Sequence, residues 1–255
     1  MSLCNLCNLW MNPLATSDMP LAVMGAMPEE VEAIVAELQG VRTVSRGNRV
    51  YHRGTLWGHD AVVVFSHWGK VASAMTATTL IGEFGADRIV FTGVAGGIDP
   101  ALRVGDVVVA SRFVQHDLDA RPLFARHEIP LLGRTYLDAD PSLSIALGTA
   151  VRGYLAARGD GARMFEGLVA SGDQFFASDA ARAALRGALP ETLCVEMEGA
   201  AVAQVCTEHG VPLAVVRTIS DAAGDHAAGD FSTFLTTVAS AYSRGILERL
   251  LRVPE

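Results

Sequence analysis

Basic side chains are scarce in this chain: 20 Lys and Arg stand against 28 Asp and Glu, a formal net charge of −8 over 255 residues. A protein that grips the nucleic-acid backbone needs a basic face from which counterions can be released, so nucleic acid is not the expected partner. Long apolar runs are missing too. No stretch reaches the ~18 residues of a spanning helix. The opening MSLCNLCNLWMNPLATSDMP lacks the basic region of a secretory signal. A cytoplasmic protein without membrane contact is the expectation. Cysteine is used four times. Cys4 and Cys7 form a C-x-x-C in the first few residues, and Cys194 and Cys206 sit in apolar stretches as small core residues, so neither a redox nor a metal site is expected. A dinucleotide fingerprint is also absent. The glycine run GVAGG is not G-x-G-x-x-G, and the second strand ends in SHWGK, not in the acid that a cofactor ribose requires, so no cofactor is expected.

What the chain does have is alternation. Half of its residues are hydrophobic, enough to bury a large core. LAVMG (21–25) is a short apolar run, followed by PEEVEAIVAEL (28–38) with Val31, Ile34, Val35 and Leu38 at helical spacing and Pro28 in the first turn. Residues 49–66 read as two strands joined at Gly58-His59-Asp60, and 71–81 as a helix. Strands are predicted at 88–93, 105–111, 164–171, 192–197 and 212–218. Helices are predicted at 141–157, near 178–188, at 198–209 and from about 230 to 251. Such alternation defines an α/β single-domain three-layer sandwich, with a mostly parallel, mixed central sheet flanked by helices. Residues 1–19 read as a loosely ordered extension and 20–255 as the domain.

In sheets of this kind ligands collect at the carboxyl ends of strands. Five ends are informative: GAMPEE, GVAGG, SGDQFF, EMEG and TISDAAGD. Taken singly, Glu29 and Glu30 could be first-turn residues that favour the helix dipole, and GVAGG could be a loop needing positive φ. Four of the five ends carry acid, which capping does not explain as a set.

In order and spacing, GAMPEE, the GK before an alanine-rich helix, TGVAGG, VGDVVV, HDLDARPLF, SGDQFF, VEMEGAA, VRTISD and FSTFL resemble the methylthioadenosine/S-adenosylhomocysteine nucleosidases of the purine nucleoside phosphorylase superfamily. The resemblance runs from about residue 21 to 251. It implies a nucleoside phosphorylase-like fold, a catalytic domain over 20–255, a small-molecule adenine nucleoside as partner, and a homodimer in which the 116–134 segment reaches the neighbouring site.

It also implies roles that chemistry can check. Cleaving an N-ribosidic bond generates an oxocarbenium-like ribose and an adenine that leaves poorly without a proton, so an acid is needed at the base end and a water-activating base at the sugar end. By similarity Asp221 protonates adenine and Glu30 activates water, with Arg217 helping to position both Glu30 and the water. Glu198, at a strand-to-helix seam, would take the ribose hydroxyls and set negative charge beneath the developing cation. Glu196 either joins it or supports it from behind, since residues two apart share no helix face. Met197 would pack on the sugar and Phe175 on adenine, with Phe176, Ala26, Ser220 and Phe231 completing the substrate contacts. Residues 221–230 read as a loop that orders over the ligand, with Asp230 as N-cap of the last helix.

A phosphorylase would have to hold a phosphate dianion beside Glu29 and Glu30. Unit charges 4 Å apart interact by ~1 kcal/mol in water and ~4 kcal/mol at an effective dielectric of 20, so water is the favoured nucleophile. Arg217, Arg53 and Lys70 are the candidate phosphate ligands that stand against this. Two positions depart from the family pattern: Val94 where many members carry Ser, and Trp68 where a smaller aliphatic residue is usual. Trp68 falls in the stretch resembling the wall of the 5′ pocket, leaving the 5′ substituent open among methylthioadenosine, S-adenosylhomocysteine, deoxyadenosine, adenosine and aminodeoxyfutalosine. A nucleoside-binding module without turnover is the remaining alternative.

Overall fold

The computed structural model describes residues 19–252, and only the backbone at 236 and 237. The Cys4/Cys7 pair and nearly all of the expected extension lie outside the described residues.

Ten strands form one sheet: β1 (Leu21–Gly25), β2 (Gln39–Arg46), β3 (Arg49–Leu56), β4 (His59–Phe65), β5 (Arg88–Gly97), β6 (Val107–Gln115), β7 (Leu137–Asp138), β8 (Met164–Ser171), β9 (Thr192–Glu196) and β10 (Leu213–Asp221). Their order is β10-β6-β8-β9-β5-β1-β4-β3-β2, with β7 beside β6 and a further β10–β5 pairing that closes β5, β10, β6, β8 and β9 into a ring. β1 runs parallel between β4 and β5, and all five of its residues are buried, which is why it reads as an unbroken apolar run. Strand β2 is the opposite case. It is a largely exposed outer strand carrying Arg42 and Arg46, a polar edge that discourages further pairing and leaves no apolar alternation to detect in the sequence. The β3–β4 turn falls at Trp57-Gly58, one residue earlier than expected, both with positive φ (+47° and +93°) as a two-residue hairpin turn requires.

The helices are α1 (Pro28–Val35), α2 (Lys70–Gly82), α3 (Pro141–Arg158), α4 (Asp179–Ala188), α5 (Gly199–His209), α6 (Ala227–Phe234) and α7 (Ser240–Leu251), with a π-helical turn, Leu235–Ala239, between the last two. One core cluster joins the sheet to α1, α3 and α7, and a second joins it to α2 and α5, giving the three expected layers. No helix among the described residues is long and apolar enough to cross a membrane.

Two parallel sets of strands meet tip to tip. β1, β4, β5 and β10 run one way; β6 and β10 are antiparallel, and β8 and β9 follow β6. The carboxyl ends of β5 and β9 overlap, antiparallel, over only Gly96–Gly97 against Val195 and Cys194. Both sets therefore deliver their carboxyl ends to one place.

Candidate active site

That place is a cleft of about 550 Å³, its open mouth included, lined by Ala26, Glu30, Trp68, Val94, Phe175, Phe176, Glu196, Met197, Glu198, Ser220, Asp221 and Phe231 together with residues not anticipated, among them Met27, Gly96, Gln174 and Ala223. It collects every expected site residue except Arg217, which lies in the protein beneath.

Glu30 reaches it from the first turn of α1, where Pro28 fixes the entry. Its carboxylate curls back: Oε2 accepts from the amides of Ala26 (2.6 Å) and Met27 (3.1 Å), and Oε1 from Val94 N (3.1 Å). The glycines around it leave room for this. A Cβ on Gly93 would stand 2.7 Å from Glu30 Oε1. The run 93–97 is thus strand, without positive φ, and its glycines serve close approach, not turning. Burial raises the Glu30 pKa, opposed by the field of Arg217 and the three amides.

Asp221 ends β10. The pairing of β10 with β5 slips between Ile219 and Asp221, leaving Ser220 as the extra residue of a bulge that re-aims the next side chain. Asp221 Oδ2 accepts from Ser220 Oγ and Oδ1 from Ala223 N, each at 2.7 Å. Its pKa too is raised by burial, against both hydrogen bonds. A Cβ on Gly96 would meet Asp221 Oδ1 at 3.0 Å, so a second glycine of the run clears the second carboxylate.

The two glutamates of the β9–α5 seam divide. Glu198 Oε1 accepts from Gly69 N at 2.8 Å, and burial, with Glu196 nearby, raises its pKa. Glu196 turns inward. Its carboxylate takes Gly199 N, Glu198 N, the Ser171 hydroxyl and Arg217 Nη2 (2.8 Å). Of the two roles considered for it, the supporting one fits this engaged carboxylate.

Arg217 departs from expectation. It hydrogen-bonds to Glu196 and to Val216 O, not to Glu30. Its guanidinium lies 4.1 Å from the centroid of the Phe91 ring, which holds its fork toward Glu196. Glu30 feels it through its field alone. Asp230 departs as well: α6 begins at Ala227, His226 occupies the N-cap, and Asp230 lies within the first turn. Phe176 is packed into the core, 7% exposed and edge-on to His116, whereas Phe175 keeps 38% of its surface exposed where it lines the cleft. Gly69 and Ser171, which hold Glu198 and Glu196, were missed. Both carried a readable signal: Gly69 stands just ahead of a helix at a strand end, and Ser171 opens the SGDQFF strand end.

No Lys, Arg or His lines the cleft among the described residues. Lys70 Nζ is engaged by Asp117 (2.6 Å) and Gln115 (3.2 Å), and Arg53 by Asp60 (2.7 Å). With Arg217 paired to Glu196, each cation considered as a phosphate ligand has a carboxylate partner.

Residues 20–252 match the Phosphorylase superfamily, the class to which this α/β fold, with buried carboxylates gathered at its strand tips around one cleft, belongs. Within it the chain belongs to the 5′-methylthioadenosine/S-adenosylhomocysteine nucleosidase family. It is 38% identical to the Geobacillus kaustophilus enzyme of that name over 91% of this chain and 97% of the relative. An aminodeoxyfutalosine nucleosidase of Campylobacter jejuni is 32% identical, over 90% and 97%. The Neisseria meningitidis nucleosidase, solved in complex with methylthio-immucillin-A, superposes with a TM-score of 0.84 at 35% identity, covering 91% of this chain and 98% of that one.

Proposed function

We propose that this protein hydrolyses the N-ribosidic bond of a 5′-substituted adenosine, releasing adenine through an oxocarbenium-like transition state. The observation that carries the reading is the pair of buried carboxyls on one cleft, Glu30 and Asp221, both held above the ordinary carboxylate range. Glu30 activates water at the sugar carbon. Asp221, whose pKa burial raises, donates to the departing adenine, while Glu198 takes the ribose hydroxyls and faces the developing cation. Val94 offers a backbone amide to Glu30 but no hydroxyl, so the water depends on the carboxylate itself. Arg217 acts through Glu196, fixing the turn that presents Glu198. The prior engagement of Lys70, Arg53 and Arg217 supports hydrolysis over phosphorolysis.

Dimerisation through the 116–134 segment is part of the proposal. Leu123 and Leu131 are 83% and 94% exposed there, and Val71 and Met75 on α2 are exposed as well, apolar surface suited to a second copy. Two free, buried thiols, Cys194 and Cys206, suit a reducing, cytoplasmic setting.

Adenine release from methylthioadenosine in phosphate-free buffer tests the reading. Release at a rate that added phosphate leaves unchanged is expected. Release only after phosphate is added would make the protein a phosphorylase, and binding without release would make it a nucleoside-binding module.

A further inference from the structure

The carboxylate assigned to the ribose is held by a helix that has no side-chain cap of its own. α2 opens on Gly69, at φ +93°, a residue with nothing to offer the first free amides of the helix. Two carboxylates from elsewhere in the chain take those amides. Glu198 Oε1 accepts from Gly69 N at 2.8 Å, and Asp173 Oδ1, in the segment after β8, accepts from Lys70 N at 2.7 Å. Glu198 lines the cleft, whereas Asp173 is exposed and stands outside its lining.

The fit at this junction is close. A Cβ on Gly69 would stand 2.9 Å from Asp173 Oδ1, so the glycine admits that carboxylate as well as the positive φ. Asp173 is itself held: its backbone amide donates to Asp117 Oδ2 at 2.9 Å, and Asp117 Oδ1 pairs with Lys70 Nζ at 2.6 Å. One turn into α2 the buried Ser73 hydroxyl lies within donating reach of Lys70 O (3.1 Å) and of Glu198 O (3.4 Å). All of these contacts lie within one chain. A helix N-terminus favours negative charge. Burial, and after it Glu196, raise the Glu198 pKa, and the Gly69 amide is foremost among the contacts that oppose the rise. Without an acceptor for Lys70 N, the first turn of α2 could swing on Gly69 and take that amide off Glu198.

We propose that Asp173 is a positioning residue: by capping α2 from the β8 side it holds the Gly69 amide on Glu198 and so fixes the carboxylate that faces the ribose, a role that rests on the hydrolase reading above. The test is a double-mutant cycle on kcat/KM for methylthioadenosine in the full-length protein, with Asp173→Ala, Glu198→Gln and the two combined. Asp173→Ala should lower kcat/KM by about 10- to 100-fold, yet by less than about threefold once residue 198 has already lost its charge. Asp173→Asn keeps the acceptor, and Asn caps a helix about as well as Asp, so it should stay within about threefold of the parent. A fold loosened without regard to Glu198 would lose the same factor in both backgrounds, and that additive result would overturn the proposal. Asp173→Ala within about twofold of the parent, or Asp173→Asn as impaired as Asp173→Ala, would overturn it too. No adenine from the unaltered protein, with or without phosphate, would sink the hydrolase reading instead. The same cycle on the dissociation constant of methylthioadenosine, measured by isothermal titration calorimetry, would then decide the role of Asp173.

Discussion

Glu196 Oε2 and Arg217 Nη2 meet at 2.8 Å with both side chains almost wholly buried, 3% and 2% exposed. Neither can find water if the other is removed. Glu196→Gln leaves a buried guanidinium without its counter-charge, a loss of about 3–5 kcal/mol, which in a chain of this size lowers Tm by about 10 °C. The double variant Glu196→Leu, Arg217→Met should recover most of that stability without recovering activity. A Tm for Glu196→Gln within about 2 °C of the parent would show that the pair is not the anchor described here.

Glu30 and Asp221 set the pH profile. On the proposed roles Glu30 acts ionised, so the rate should rise as it loses its proton, and Asp221 acts protonated, so the rate should fall as it loses its own. Burial moves both upward from ordinary values of 4.5 and 3.8, so both limbs of the bell are expected above those values. Glu30→Gln and Asp221→Asn should each lower kcat by about 10²–10⁴, the first abolishing the acid limb and the second the alkaline one. Profiles that keep both limbs in either variant would reassign the roles.

The same shifts link stability to pH. Glu30, Glu198 and Asp221 hold their protons more tightly folded than unfolded, so their contribution is fully present below about pH 4 and is lost as pH rises through their raised values. The ligand-free protein should therefore lose Tm steadily from mildly acidic to mildly alkaline pH, and Glu198→Gln should flatten that decline. Differential scanning calorimetry across the range measures it; a Tm that climbs with pH would contradict the assignment.

Gly93→Ala is a small change with a specific consequence. Its Cβ would stand 2.7 Å from Glu30 Oε1 and 3.0 Å from the carboxyl carbon, forcing the carboxylate off the Val94 amide at an overpacking cost of about 1–3 kcal/mol. kcat should fall at least tenfold, about 1.4 kcal/mol in the barrier. Gly187→Ala, on α4 with open space around it, should change neither activity nor stability adversely. Equal behaviour of the two variants would mean that the glycine run is not there for clearance.

Much of the architecture was legible because burial on both faces leaves an unmistakable signature. β1 and β8 fall where their apolar runs do, and α3 and α5 within a residue of the expected ends. The parts that were not legible have physical causes. β2 is a polar outer strand with little to bury. β5 and β10 run on past their apolar segments into GVAGG and TISD, because the ring they close needs pairing there. α6 starts ahead of Asp230 because its first turn of backbone hydrogen bonds forms without a side-chain cap.

The sequence by itself determined which side chains are available: an acid after each of four strands, a glycine run after β5, a tryptophan beside Gly69, and two glutamates at the first strand's turn where a phosphate would have to sit. These follow from residue type and spacing along the chain. Which partners each carboxylate meets was decided only by the tertiary structure. Glu196 and Glu198 are two residues apart and chemically identical, and what separates them is the company each meets. Glu196 meets a buried arginine from β10, a serine from β8 and the first amides of α5, and Glu198 meets a lone amide at the edge of the cleft. Those partners come from 21 to 129 positions away along the chain, apart from α5 itself, and no local pattern can specify an encounter that only chain closure brings about.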